Sequence, residues 1–313
     1  MTSLDWLDRQ DLWLTCELAR QGLTTANIDA LVRRGQLVRV RRGCYQCIKE
    51  WNKLSPAGKG LLRVYAHRAV GAYLGNESPV YSHTSAARLH GTFLLNPDSL
   101  IHITQSSSVS PTSHARDVRK HQGWLSASEV TLKSGVLVTT LERTAVDCSR
   151  IFQYRRALVT TEHALRLGAD RTQMRHIVEA LANHKGVGNA RRVLANASQL
   201  SESPGETLCL DILRSLRIPL PDQQVCVSSR LGDYRLDFAW RELKAALEFD
   251  GRVKYFAYEP TDRVLFEERR REKALAEEGW TFLRIEWADL FKEADLRERV
   301  MVHLRRAEAR LAA

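Results

Sequence analysis

Two short stretches near the start of the chain, 12–20 and 25–34, carry apolar residues at helical spacing: Leu14 and Leu18 in the first, Ile28, Leu31 and Val32 in the second. Gly22 lies between them in a short turn, Thr24 or Thr25 is placed to cap the second helix, and Gly35 stands where that helix has to stop. Residues 37–45 then alternate like a strand and reverse at Arg42-Gly43, so a helix-turn-helix followed by a β wing is expected. Residues 65–198 mix short strands with helices. A further helix is expected over 203–217, with Leu208, Ile212, Leu213 and Leu216 on one face, Ser203 and Glu206 as a capping box and Pro204 in the first turn. Two strands follow, 233–240 and 243–250. Breakers at Ser55-Pro56 and at 201–205 divide the chain into segments 1–55, 65–198 and 201–313. The expected fold class is multidomain, α/β and α+β: an N-terminal winged helix-turn-helix, a mixed α+β middle domain and a C-terminal α/β domain.

Parity along the two late strands decides what they display. Tyr234, Leu236, Phe238 and Trp240 share one apolar face, as do Leu243, Ala245, Leu247 and Phe249, whereas Asp237, Glu248 and Asp250 fall on the opposite face. A two-residue turn at Arg241-Glu242 would pair Trp240 with Leu243 and set Asp237 across from Ala246, with Glu248 as a diagonal neighbour roughly 7–8 Å away. Acids in so apolar a strand cost several kcal/mol unless a cation or a partner meets them. Asp237 and Glu248 are therefore the candidate metal ligands, for Mg²⁺ or Mn²⁺, because carboxylate oxygens suit hard divalent ions.

Charge points to a polyanion. The 313 residues hold 47 Lys and Arg against 37 Asp and Glu, a formal net charge of +10. Arg33, Arg34, Arg39, Arg41 and Arg42 fall within ten residues with no acid among them, on the expected helix end and wing, and are the candidate DNA-binding residues. No apolar run reaches the length of a membrane span, and Asp5 and Asp8 do not suit a secretory leader, so a cytoplasmic protein without membrane contact is expected. Cys44 and Cys47 have C-x-x-C spacing, but no second pair completes a four-ligand zinc set, and they read as strand residues. The ten histidines are dispersed, and no metalloprotease, serine-hydrolase or NTPase motif appears. His83 and His90 read as structural, and Arg143 and Asp147 as an i,i+4 ion pair on a helix.

The run from Gly22-Leu-Thr through Leu31-Val-Arg-Arg-Gly35-Gln-Leu-Val-Arg-Val-Arg-Arg-Gly43-Cys-Tyr45 resembles the winged-helix domain of AbiEi-type antitoxins, and Ser82-His-Thr-Ser-Ala-Ala-Arg-Leu-His90-Gly91 with 138–147 is similar to the segment after that wing. Glu206, Leu236-Asp-Phe238, Leu247-Glu-Phe-Asp-Gly251 and Lys254-Tyr255 resemble the PD-(D/E)XK nucleases, in the branch of very-short-patch-repair endonucleases. The tail, with Arg269-Arg-Arg-Glu-Lys273, Gly279-Trp280 and 283–290, fits the same resemblance. These resemblances imply a restriction-endonuclease-like C-terminal domain that hydrolyses double-stranded DNA in phage defence or a toxin–antitoxin setting. Asp237 and Glu248 would hold the ion, Lys254 or Asp250 would orient the attacking water, and Glu206 would hold an outer-sphere water. Arg269, Arg270 and Arg271 either meet phosphates or stay solvated. The chain departs from the motif at Asp250, where the family has its catalytic lysine. The alternative is a repressor or antitoxin with an inactive nuclease-like domain, partnered by a toxin protein or by a second copy.

Overall fold

A two-residue strand, β1 (Trp13–Leu14), opens the computed structural model, which describes residues 11–106, 116–251 and 262–312. Helix α1 (Thr15–Arg20), helix α2 (Thr25–Arg33) and the hairpin of β2 (Leu37–Arg41) and β3 (Cys44–Cys47) follow. Trp13, Leu18, Ile28, Leu31, Leu37, Tyr45 and Cys47 bury one another in a single cluster. Thr24 caps α2 by accepting the Asn27 N–H at 3.2 Å, and the Asn27 side chain accepts the Thr24 N–H at 3.0 Å. Gly35 (φ 67°) ends the helix and Gly43 (φ 82°) turns the hairpin, both in the left-handed region. The helix expected from residue 12 starts later, because Trp13 and Leu14 pair with Tyr45 and Cys44 and so form the third strand of a sheet ordered β1-β3-β2.

Ser55 accepts the Gly58 N–H at 3.1 Å and, with Pro56 in the first turn, starts the long helix α4 (Pro56–Tyr73) after the short α3 (Ile48–Lys53). Next come β4 (Val80–Tyr81), α5 (His83–His90), β5 (Ile101–Gln105), β6 (Val118–Gln122), β7 (Val130–Lys133), β8 (Val136–Thr139) and α6 (Leu141–Ile151). The five strands form one mixed sheet, β6-β5-β4-β8-β7, over a core of Val64, Tyr81, Ala86, Leu89, Ile101, Ile103, Val136 and Val138. His90 Nε2 lies 2.7 Å from the Thr139 carbonyl, the structural role expected of it. Cys44 and Cys47 are buried strand residues, and burial pushes the Cys44 thiol up to about 11.

Helix α7 (Tyr154–Arg166) precedes α8 (Arg171–Ala180), α9 (Val187–Asn196) and α10 (Pro204–Ser215). Strands β9 (Asp222–Ser229), β10 (Gly232–Trp240) and β11 (Ala245–Asp250), helix α11 (Asp262–Glu277), β12 (Thr281–Glu286) and α12 (Glu293–Leu311) complete the order. The sheet runs β12-β11-β10-β9, antiparallel except for β11 and β12, which are parallel with α11 between them in sequence. Among the described residues, no helix is long and apolar enough to cross a membrane.

The chain gathers into two compact units: residues up to Phe152 with Ala169–Arg191, and Gln153–Gly168 with everything from Arg192 onward. The expected middle segment is thus shared between them. The buried Glu162 carboxylate on α7 accepts the Ser198 N–H and the Thr207 hydroxyl, both at 2.8 Å, which fastens α7 to α10 within the second unit.

Burial of His67 is expected to make the first unit acid-labile. Its Nδ1 lies 2.8 Å from the buried Tyr81 hydroxyl, and burial, followed by the charge of Arg41, lowers its pKa to about 4. Below a pH of about 6.5 the unfolded chain takes up a proton that native His67 refuses. Its contribution is therefore complete above that pH and falls by about 1.4 kcal/mol per pH unit down to the folded value. Urea titrations from pH 7 to 4 should show a shallower loss of stability in His67→Gln than in wild type.

Candidate active site

Helix α10 brings the first acid. Ser203 accepts the Glu206 N–H at 3.2 Å, as a cap should. The Glu206 Oε2 also accepts the Glu202 N–H at 2.8 Å and the Gln224 amide at 3.0 Å. Burial, and after it the negative charge of Asp237, push the Glu206 carboxyl above its ordinary range against the stabilising Glu202 N–H. Its neighbour Thr207 is held by Glu162, which fixes the start of the helix.

The strand register differs from the expected one. A 3₁₀ turn over Arg241–Leu243, closed by Lys244 in the left-handed region (φ 48°), replaces the two-residue turn. Trp240 therefore pairs with Ala245 and Phe238 with Leu247. A shift of two residues preserves the faces of a strand. Ala246 now pairs with Ala239 instead of lying across from Asp237, and Asp237 and Glu248 flank the last pair, Phe238 with Leu247. Asp237 Oδ2 accepts the Phe249 N–H at 3.0 Å across the two strands.

Arginines meet these acids. Parallel pairing sets Glu248 beside Arg284, 3.6 Å away, and Arg271 from α11 reaches Glu248 Oε1 at 3.0 Å. Arg271 also donates to the Arg235 carbonyl at 3.1 Å and lies over the Tyr234 ring, while Arg284 pairs with Glu272 at 3.0 Å. Of the arginine run on α11, Arg269 and Arg270 are exposed and Arg271 is turned onto the acids. Asp250, half-buried at the end of β11, stands beside Glu286 in the parallel register. Lys254 lies outside the described residues. Gln224 has no local motif and Arg284 stood out only as part of the 283–290 tail, so only strand pairing and helix packing bring them to the acids.

Glu206, Asp237 and Glu248 are three carboxylates on neighbouring elements, and the Glu206 carboxyl is raised by burial first and by the charge of Asp237 after it. Their oxygens are of the type a hard divalent ion takes, although the ligand atoms of the three do not all fall within 4.8 Å of one another. The two guanidinium groups on Glu248 already supply part of the compensating charge.

The five arginines of the N-terminal segment separate into two groups. Arg33, Arg34 and Arg42 are exposed. Arg39 pairs with Asp29 at 3.1 Å and lies over Tyr45, still half in solvent. Arg41, expected to face DNA, instead pairs with Asp117 at 2.9 Å with its side chain 16% exposed. The β2–β3 register shifts between Arg39 and Arg41, and such a bulge re-aims a side chain.

No protein-family model matches the sequence. The chain is 27% identical over 288 residues to two uncharacterized proteins of Mycobacterium tuberculosis, MT2308 of strain CDC 1551 / Oshkosh and Rv2248 of strain H37Rv, an alignment covering 91% of this chain and 98% of each relative. The crystal structure of the RV2827C protein from Mycobacterium tuberculosis aligns with 72% of this chain and 86% of its own, at 15% identity and a TM-score of 0.39.

Proposed function

We propose that this protein binds double-stranded DNA and hydrolyses its phosphodiester bonds with Mg²⁺ or Mn²⁺ as cofactor. The observation that carries the reading is the register of β10 and β11, which sets Asp237 and Glu248 just beyond the Phe238–Leu247 pair, with the carboxyl of Glu206 on α10 raised by burial and then by the charge of Asp237. The second unit is then read as a restriction-endonuclease-like domain, and the helix pair with its hairpin as a winged helix-turn-helix. When bound, the metal polarises a phosphoryl oxygen and acidifies an attacking water. Asp237 and Glu248 would hold it, and Glu206 would accept a hydrogen bond from a water beyond it. Asp250 would add negative charge on the Glu248 face. Lys254 would offer a cation to the phosphate in place of the missing motif lysine. Arg271 and Arg284 would move from Glu248 toward phosphate oxygens as DNA enters.

Incubation with supercoiled plasmid in Mg²⁺ or Mn²⁺ tests the reading. Wild type should nick or linearise it, and Asp237→Ala should be at least about 10²-fold slower. A second reading rests on the same geometry: Arg271 and Arg284 already neutralise Glu248, which suits a DNA-binding repressor or antitoxin that pairs with a toxin protein or a second copy. Wild-type protein that binds the plasmid but never cuts it in either metal would replace the first reading with the second.

The exposed arginines predict a separable effect. Replacing Arg33, Arg34 and Arg42 by Ala should flatten the log–log salt dependence of DNA affinity by roughly 0.9 for each phosphate that is no longer neutralised. Arg41→Ala should leave that slope unchanged and lower the melting temperature instead, since its guanidinium serves Asp117.

A further inference from the structure

Three histidines far apart in sequence meet in the first unit. His83 opens α5, His102 lies in β5 and His121 in β6, and one ring nitrogen from each falls within 4.8 Å of the others. His102 Nδ1 and His121 Nε2 are 2.9 Å apart, and the His83 and His121 rings stack at 3.6 Å. Behind His102, its Nε2 lies 3.1 Å from the Asp98 carboxylate. Behind His83, its Nδ1 lies 3.0 Å from the Ser82 hydroxyl, which accepts a hydrogen bond from Thr104 at 2.7 Å.

These hydrogen bonds set the tautomers. An Nε2–H donated to Asp98 leaves the His102 Nδ1 lone pair aimed at His121. That is the carboxylate–histidine arrangement that orients a ring and raises its basicity toward a metal. Nitrogens about 2.0–2.1 Å from a tetrahedral ion stand roughly 3.4 Å from each other, so the 2.9 Å pair needs to open only slightly, while the His83 ring, 14° from parallel with His121, has to turn out of the stack to aim its lone pair at the same ion. His83 is also held at φ 48°, a left-handed conformation that strains a non-glycine residue and concentrates at functional sites.

His83 and His121 line a cleft of about 470 Å³ together with Lys120, Arg143, Asp147, Arg150 and Lys185, in which cations outnumber the one acid. We propose that His83, His102 and His121 form a binding site for one zinc-class divalent transition-metal ion, oriented from behind by Asp98, with the fourth coordination position facing this basic cleft. The donors are all imidazole, which selects zinc, cobalt or nickel over magnesium. The charge of the cleft suits water or an anionic oxygen as the fourth ligand. This site is separate from the carboxylates of β10 and β11 and holds whether or not those residues cleave DNA.

The test is metal retention by the full chain, stripped with chelator and then dialysed against Co²⁺ or Zn²⁺ in excess Mg²⁺. Wild type and Asp237→Ala should each retain one equivalent, and the cobalt form should show ligand-field bands without the thiolate charge-transfer absorption that Cys44 or Cys47 would cause. His121→Phe keeps an aromatic ring in the stack, removes the donor and should retain none. Asp98→Asn leaves all three rings in place and should weaken binding by about 10–100-fold. Wild type that retains no metal overturns the proposal, as does His121→Phe that retains as much as wild type. If His121→Phe fails to fold, unchanged affinity in Asp98→Asn overturns it equally.

Discussion

Arg143→Met should destabilise the first unit by about 3–5 kcal/mol, the cost of leaving a buried charge without its counter-ion. Arg143 is 4% exposed and Asp147 1%, and they meet at 3.1 Å on α6. The sequence spacing led us to expect this pair, but the fold makes it the centre of a network. Arg143 also reaches Glu129 at 2.7 Å, and Arg150 reaches Asp147 at 3.3 Å and the Lys185 carbonyl at 3.1 Å. Burial alone would raise the Glu129 carboxyl; the Ser126 N–H and the Arg143 guanidinium outweigh it and hold it below its ordinary range. Removing Arg143 therefore strands two carboxylates, with Arg150 left to serve only Asp147. Exchanging both charges, as Arg143→Met with Asp147→Leu, should cost less than Arg143→Met alone, because apolar replacement removes the desolvation penalty as well as the attraction. Chemical denaturation of the two variants measures the difference. A double variant less stable than the single one would mean that the network contributes through packing or through Arg150 rather than through this pair.

Gly205→Ala should impair the second unit in stability and in cleavage together. A methyl group on Gly205 would fall inside the ring of Phe249, whose backbone follows Glu248 and donates its N–H to Asp237. The ring has little room to retreat, since Trp287 packs against it edge-on at 5.5 Å. Overpacking of this kind costs about 1–3 kcal/mol. Because the strained residue joins the two acids, any shift of Phe249 also moves Glu248 relative to Asp237. A displacement near 1 Å at a reacting centre lowers rate by about 10²-fold, and on the nuclease reading that loss should appear in plasmid cleavage. Ser203→Ala is the natural comparison: it removes the cap of the same helix, costs about 1 kcal/mol, and should leave the cleavage rate of the folded protein within a few-fold of wild type. Equal losses of cleavage in the two variants would show that α10 acts through its stability and not through its packing at Phe249.

Local chemistry made much of this chain legible from sequence. Thr24 and Gly35 bracket α2, Gly43 turns the hairpin, Ser203 and Pro204 start α10, and alternation puts Asp237, Glu248 and Asp250 on one face of their strands. Each of these features depends on a few neighbouring residues, through a capping hydrogen bond, a left-handed φ or the two-residue period of a strand. What the sequence left open is which faces meet, and at what register. Lys244 takes a left-handed conformation that nothing in a lysine announces, and it moves Trp240 onto Ala245 and Ala239 onto Ala246. Arg284 stands beside Glu248, and His121 comes to His102, through parallel strand pairs, which have no tight turn to set their register. A bulge in β2 turns Arg41 away from the basic surface and onto Asp117. By itself, then, the sequence determined the helices, the hairpin and the acidic strand face, because backbone and side chain settle those within a turn or two. The neighbouring carboxylates, their arginine partners and the histidine cluster were decided by tertiary structure, since each depends on the meeting of distant segments that no local pattern encodes.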